Sequence, residues 1–235
     1  MKKSTVNIVR DLVSNMVFPF TIKSVVDNAD GTYLLTTGRT HYLQKNNNTI
    51  FVIGGNDYTI LEVVINESVL VKGDVLPVAS KFNLPSPFFC HGSIVQVNAD
   101  NTQIIDMQDK IPMVYLLRPF GEEVDAMDDN DPLIEREPEL TLFFLTEAFF
   151  NSGWTTDDYD LNAIEPMWSM MNTFIETCKA SEGIGKIETY RVEDKIKFAN
   201  YNFKGADTKL FNDSLSGKQL DITLPIYASC CDTDC

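Results

Sequence analysis

The sequence predicts an α+β fold, in which an antiparallel sheet has helices on one face and carries an inserted small all-β barrel or sandwich module. An amphipathic pattern over residues 4–16 predicts a first helix. Short apolar runs separated by turn clusters predict strands over residues 20–105. Two strands, a long helix and two more strands are predicted to follow. Without the insert the order is α-β-β-α-β-β, so we expect residues 1–19 and 106–235 to form the core around the insert.

Length and charge limit what the chain can do. With 235 residues, of which 44% are hydrophobic, the chain can bury one large core or two modest ones. Its 19 basic and 34 acidic residues give a formal net charge of −15. A surface of that sign repels phosphate backbones, so the composition argues against a general nucleic-acid-binding face and favours basic protein partners.

The sequence lacks the pattern of a membrane span or of a signal peptide. No apolar run approaches the roughly 20 residues that a transmembrane helix needs. Arg10 and Asp11 interrupt what would be the apolar region of a signal peptide. Five cysteines, an odd number without the spacing of a disulfide framework, indicate a reducing compartment. We therefore expect the chain to fold in a cytoplasm.

The two predicted helices each have an apolar stripe. In the first, Ser4 is a suitable N-cap and Pro19 is expected to end the helix. The second spans LNAIEPMWSMMNTFIETCK, where Pro166 is tolerable in the first turn if the cap lies near Asn162. The apolar residues at helical spacing are Val6, Val9, Leu12, Val13 and Met16 in the first helix, and Leu161, Ile164, Met167, Trp168, Met171, Phe174, Ile175 and Cys178 in the second.

The insert is expected to consist of short strands. Apolar or alternating runs recur in the order TIKSVV, TYLLTT, TIFVIG, YTILEVV, SVLVKG and SIVQVN. Turn clusters rich in Asn, Asp and Gly separate these runs, which favours a barrel or sandwich over a parallel sheet with helical crossovers. The segment NLPSPFFCHG, residues 83–92, is interpreted as the exit loop.

The core sheet is predicted to begin with a hairpin that is apolar on both faces. Its strands are the runs 113–117 and 140–145, in which apolar side chains occupy successive positions. Two helices can cover only one face, so the other face requires the insert or another subunit. Two further strands are expected near residues 192–203 and 219–228, and Pro225 indicates that the last one lies at an edge.

A dense acidic stretch separates the two strands of the predicted hairpin. A catalytic carboxylate pair would need a structured cleft, which this segment does not predict. A calcium loop would need a glycine at its sixth position, and counting twelve residues from Asp125 reaches Arg136 instead of an acid. We interpret the stretch as a solvated loop, with adventitious cation binding as a weaker alternative. Its carboxylates are Glu122, Glu123, Asp125, Asp128, Asp129, Asp131, Glu135, Glu137 and Glu139.

Other candidate motifs predict no catalytic residue, cofactor or metal site. The C-terminal CCDTDC, with Cys90 and His91 as possible partners, lacks the C-x-x-C spacing of a zinc site. The histidines, His41 and His91, are interpreted as surface or turn residues. The GIGK of residues 183–186 lacks the upstream glycine and the serine or threonine of a phosphate loop.

Several segments, taken in order, resemble a family of phage structural proteins. The α-β-β-α-β-β order resembles tail-terminator and neck-ring proteins of tailed bacteriophages. More specifically, residues 85–230 are similar to structural proteins of crAss-like and related Bacteroides-infecting phages. The segments that carry this resemblance are KIPMVYLLRPFGEE, EREPELTLFFL, MWSMMNTFIE and LFNDSLSGKQLDITL.

The resemblance implies a tail-terminator-like core and a virion structural protein without catalysis. The expected position is a ring at the head–tail connector (the neck) or at the tail end, after assembly in the host cytoplasm. Expected partners are further copies in a cyclic ring, in a number that is a multiple of six, and the portal, neck or tail proteins. DNA would pass nearby without sequence-specific binding. Glu122, Glu123, Asp125, Asp128 and Asp129 form the expected interface loop, in which the two glutamates contact basic residues of a neighbour.

Two functions of other classes stay open. One is a receptor- or glycan-binding module of a phage tail, with the insert as its binding part. Exposed clustered aromatic residues would favour it, but Tyr33, Tyr42 and Tyr58 are scattered in the sequence. The other is a small hydrolase that uses Asp128 and Asp129, which the missing cleft pattern disfavours.

Overall fold

The chain is mostly β-sheet with two helices in the parts that the structure describes, which confirms the α+β class. The structure is a computed structural model. It describes residues 4–44, 46–78, 80–93, 111–118, 120–124, 134–148, 155–195, 198, 200–203, 206–209 and 215–227. No helix in these ranges is long and apolar enough to cross a membrane.

Helix α1 (Thr5–Ser14) forms where the apolar stripe predicts it. The Ser4 hydroxyl accepts a hydrogen bond from the Asn7 backbone N–H at 3.3 Å, so the predicted N-cap is confirmed. The predicted end is wrong, because the helix stops at Ser14 and Pro19 lies in the following strand. Asn15 satisfies the helix end instead by donating its backbone N–H to Asp11 O.

The described strands between residues 18 and 84 form a five-stranded antiparallel sheet and a two-stranded ribbon, which account for most of the predicted insert. The sheet has the order β2-β3-β6-β5-β4, and β1 pairs with β7 in the ribbon. The Phe20 ring of the ribbon lies 5.3 Å from that of Phe51 in the sheet, so the two layers pack as in a sandwich. The strands are β1 (Phe18–Thr21), β2 (Ser24–Asp27), β3 (Thr32–Thr36), β4 (Asn46–Ile53), β5 (Asn56–Val64), β6 (Ser68–Lys72) and β7 (Lys81–Leu84).

The main sheet has the order β12-β15-β11-β9-β8, and two short strands, β10 and β16, also pair with β11. A separate hairpin joins β13 to β14. The strands are β8 (Phe88–Gly92), β9 (Met113–Leu117), β10 (Glu122–Val124), β11 (Ile134–Glu147), β12 (Tyr190–Lys195), β13 (Asn200–Phe203), β14 (Ala206–Lys209), β15 (Leu215–Thr223) and β16 (Ile226–Tyr227).

The interpretation of residues 83–92 as an exit loop is wrong, because the segment contains the end of β7 and all of β8. Strand β8 pairs parallel to β9, with Phe88 opposite Met113, so the main sheet is not purely antiparallel. Side chains alternate along β8, and Phe89 packs with the core of the helix-covered face while Phe88 and Cys90 pack with that of the other face. Prolines on the N-terminal side hid this strand from the sequence pattern. The division into core and insert stays a prediction.

The predicted hairpin is confirmed, and both of its faces are buried. Strands β9 and β11 pair antiparallel, with Leu116 opposite Leu142. One face meets α1 and the second helix, and its buried residues include Val114, Leu116, Leu142 and Phe144. On the other face Met113, Tyr115, Phe143 and Leu145 are at most 6% exposed, with Phe198 packed against them. The second face is therefore covered within one chain, so it does not require another subunit, and Phe88 and Cys90 from the range predicted as the insert are among the residues packed there.

The second helix, α2, has three consecutive segments: an α-helical turn Thr156–Tyr159, a π-helical turn Asp160–Ile164 and the α-helix Glu165–Ala180. Thr155 caps it through a capping box with Asp158, not a residue near Asn162 as predicted. In the π-helical turn the Glu165 N–H donates to Asp160 O. This turn accommodates Pro166, which has no N–H to donate.

Most of the predicted apolar face of α2 is buried, with two exceptions. The buried members are Ile164, Met167, Met171, Phe174, Ile175 and Cys178. Leu161 is 52% exposed and Trp168 is 41% exposed, so their assignment to the core is wrong. The extra residue in the π-helical turn shifts Leu161 out of phase with the residues that follow it.

Strand β15 lies in the interior of the main sheet, not at its edge. It pairs with β11 on one side and with β12 on the other. Pro225, which indicated an edge, lies after β15 and before β16. Leu220 and Ile222 are buried, while Asp221 between them is half-buried.

We predict that Gly217→Ala destabilises the chain by at least about 2 kcal/mol. A Cβ at this position of β15 would lie 1.9 Å from Phe144 O, in the backbone of the neighbouring strand. Chemical denaturation of the purified chain measures the effect. Gly183→Ala is the matched control, because a Cβ there meets no atom within 4 Å. Equal stability of the two variants would contradict the close approach of β15 to β11.

Candidate functional site

The acidic stretch is partly a strand ribbon, so its interpretation as a loop is wrong in part. Strand β10 pairs with the N-terminal half of β11, with Glu122 opposite Pro138 and Glu123 opposite Glu137. The Glu139 backbone N–H also donates to Gly121 O at 3.0 Å. Asp125, Asp128 and Asp129 lie outside the described residues. The ribbon was not predicted from the sequence, because its charged residues lack the alternation of apolar and polar side chains that indicates a strand.

Register within the ribbon places like charges opposite each other. Glu123 is the direct cross-strand partner of Glu137, an arrangement that is unfavourable when no cation is near. The next pair is Val124 with Arg136, so one basic residue lies one position away.

A hollow of about 680 Å³ lies beside the ribbon, at the ends of β9, β11, β12 and β15. Its lining includes Phe120, Glu139, Tyr190, Arg191 and Asp221. The Asp221 carboxylate accepts hydrogen bonds from Thr141 Oγ1 at 2.7 Å and from Gln219 Nε2 at 2.8 Å. These bonds join the side chains of β11 and β15 and occupy the carboxylate, which favours a structural role over that of a free base.

A second concave surface, the module groove, separates the insert from α2 and has a volume of about 700 Å³. On the insert side of the groove, hydrogen bonds join the loop that follows β3 to the loop between β5 and β6. The Asn66 N–H donates to Thr40 Oγ1 at 3.1 Å, and the Thr37 N–H donates to Glu67 O at 2.8 Å. The wall is therefore largely preformed, as binding clefts between modules usually are.

His41 also lines the module groove. It lies in a turn, as predicted, but it is only 8% exposed and has a positive φ of 51°. Burial lowers its pKa, which keeps the imidazole neutral near pH 7. Its Nε2 lies 2.9 Å from Pro19 O and therefore donates to that carbonyl. The sequence carries no signal for this role.

Trp168 is the exposed aromatic side chain of the module groove. It projects from α2, and Lys218 Nζ lies 4.9 Å from its ring centroid. Lys218 itself is buried and forms an ion pair with Asp194. The cation–π contact holds the indole in place, and its remaining surface lines the groove with Arg39 and Asn172. The helical pattern had assigned Trp168 to the core.

The described residues include no group of three or more His, Cys, Asp or Glu side chains that could hold a metal ion. Cys90 and His91 are neighbours in β8, where successive side chains point to opposite faces. Burial raises the pKa of Cys178 to about 12, so its thiol is a weak nucleophile at neutral pH. The C-terminal CCDTDC lies outside the described residues.

The GIGK segment and the three tyrosines have structural contacts. The Gly185 N–H donates to Pro225 O at 2.7 Å, a bond that joins the segment after α2 to the main sheet. Tyr33, Tyr42 and Tyr58 are buried in the insert. They therefore do not form the exposed aromatic cluster that would favour glycan binding by the insert.

Comparisons with known proteins identify no relative. No protein-family model matches the chain, and neither a search of curated proteins nor a search of solved structures gives a match.

Proposed function

We propose that the chain is a virion structural protein, a subunit of a ring at the head–tail connector or at the tail-completion position. It acts by packing against neighbouring subunits, without catalysis. The observation that carries the proposal is that the segments resembling phage structural proteins pack together in the fold. They contain β9, most of β11, part of α2 and all of β15.

These segments form one two-layer unit. Strands β9 and β15 flank β11, and α2 packs on the face that they share. The Phe144 ring of β11 lies 5.7 Å from the Phe174 ring of α2. Segments that lie far apart in the sequence therefore share one core. A tail-terminator-like arrangement requires such packing, so the shared core supports a resemblance of fold.

The proposed ring contact uses the acidic ribbon. Because the second face of the main sheet is covered within the chain, that face does not supply the contact. The ribbon carries Glu123 opposite Glu137, and a basic surface of the next subunit or of a portal, neck or tail protein would relieve this repulsion. In a closed ring the same heterologous contact repeats at every interface. Acidic residues that face the channel would let DNA pass without binding.

The proposal is tested by quantitative peptide mass spectrometry of purified virions of the phage that encodes this sequence. We expect the chain to be present in a fixed ratio to the major capsid protein, at a low multiple of about six copies per particle. Absence of the chain from particles would overturn the proposal.

We predict that the double variant Glu122→Ala/Glu123→Ala enters virions at least about tenfold less than the wild type, because it loses charged contacts at the ring interface. Incorporation is measured by the same mass spectrometry after complementation of a phage that lacks the gene. Glu62→Ala/Glu67→Ala removes the same charge from exposed positions of the insert and is the matched control. Normal incorporation of a folded Glu122→Ala/Glu123→Ala chain would exclude the ribbon as the ring contact.

The module groove favours a second candidate function, the binding of a glycan. An exposed indole packs well against the apolar C–H groups of a sugar ring, and amide and guanidinium groups bind its hydroxyls. Trp168, Arg39, Asn66 and Asn172 line the groove together. The binding surface in this reading lies between the insert and α2, not on the insert alone.

If the groove binds a glycan, we predict that Trp168→Ala lowers the affinity at least about tenfold, because the apolar platform is lost. The full chain is screened on an array of bacterial surface glycans, and hits are measured by calorimetry. Leu161→Ala, which removes another exposed apolar side chain of α2, is the control. Absence of any hit, or equal binding by the Trp168→Ala chain, would exclude this function for the groove.

A further inference from the structure

Strand β12 forms one end of the main sheet. Among the described residues it pairs with β15 and with no other strand. Its side chains are accessible: Tyr190 is 46% exposed and the side chain of Arg191 is 75% exposed. One row of backbone N–H and C=O groups therefore faces away from the sheet, which is the surface on which a further strand can pair.

The charges along β12 alternate in sign on one face. Arg191, Glu193 and Lys195 are two residues apart, so they share a face of the strand. Glu193 forms ion pairs with both of its basic neighbours, and the distance from Lys195 Nζ to Glu193 Oε2 is 2.7 Å. Edge strands usually avoid pairing by means of charges that repel a second strand. A row of alternating sign does not repel in every register.

We propose that two copies of the chain associate through β12, which pairs antiparallel with β12 of a second copy around a two-fold axis at Val192. A two-fold axis perpendicular to a sheet places one residue opposite its own copy. With the axis at Val192, Arg191 of each copy lies opposite Glu193 of the other. Two cross-strand pairs of opposite charge then stabilise the contact.

The neighbouring registers are disfavoured by charge. With the axis at Arg191, the two arginines lie opposite each other. With the axis at Glu193, the two glutamates lie opposite each other and Arg191 faces Lys195. Like charges directly opposite are unfavourable in a sheet, so the register with Val192 at its centre is favoured over both of these.

This contact goes beyond the proposed ring. It is isologous and joins two chains or two stacked rings, whereas the contacts within a ring are heterologous. The paired strands have six residues each, so the interface is small and we expect the association to be reversible. It would extend the main sheet across both copies.

Charge reversal tests the proposal on the full purified chain. Sedimentation equilibrium is measured from about 1 µM to about 1 mM, where weak dimers become populated. We expect a dimer for the wild type and a Kd at least about tenfold higher for Arg191→Glu and for Glu193→Arg, since each creates two like-charged pairs. The double variant R191E/E193R should recover the wild-type Kd. A mixture of the two single variants should form heterodimers, because each supplies the charges that the other lacks.

Controls separate this contact from other surfaces and from unfolding. Lys81→Glu makes the same change of charge as Arg191→Glu at an exposed position of β7 and should leave the Kd unchanged. Circular dichroism verifies that each variant is folded. A wild-type chain that is monomeric over the whole range would overturn the proposal. So would single variants that associate like the wild type, or a double variant and a mixture that both fail to recover association. These outcomes are independent of whether the chain is found in virions.

Discussion

The structure depends on the burial of β11 on both faces and on its pairing along both edges. Leu142 and Phe144 face the helices, whereas Phe143 and Leu145 face the cluster around Phe198, and none of the four exceeds 6% exposure. Burial of each such side chain contributes about 1.5–3 kcal/mol. The strand also pairs with β9, β10, β15 and β16, so most of the main sheet is organised around it. Strands β9 and β15 and helix α2 pack around this strand.

This arrangement limits where other molecules can bind. A sheet whose two faces are both covered has no broad apolar surface left for a partner, so contacts must use edges, ribbons and grooves. The described residues include examples of all three: the β12 edge with alternating charges, the acidic ribbon of β10 and β11, and the module groove lined by Trp168. The ribbon and the edge are both charged, so we expect association through either to weaken as salt increases.

The sequence predicts the elements that are specified by local periodicity. The stripe of α1, the hairpin of β9 and β11 and most of the buried face of α2 follow from apolar spacing and from Ser4 as a cap. Features that depend on distant partners could not be predicted. Strand β8 forms only because β9 is beside it, and β15 lies in the interior because β12 covers its other edge. The roles of Trp168 and His41 depend on Lys218 and on Pro19 O, which no sequence spacing reveals.

The most direct test of this account measures the solvent accessibility of methionine methyl groups in the monomeric chain. Met113 lies on the second face of the main sheet, whereas Met170 and Met171 lie on the helix-covered face. NMR of methyl-labelled methionine with a soluble paramagnetic agent reports how closely solvent approaches each group. Equally small relaxation enhancement for all three is expected if one chain covers both faces. A large enhancement at Met113 alone would show that the second face is open in the monomer, and this face would again become the candidate for subunit packing.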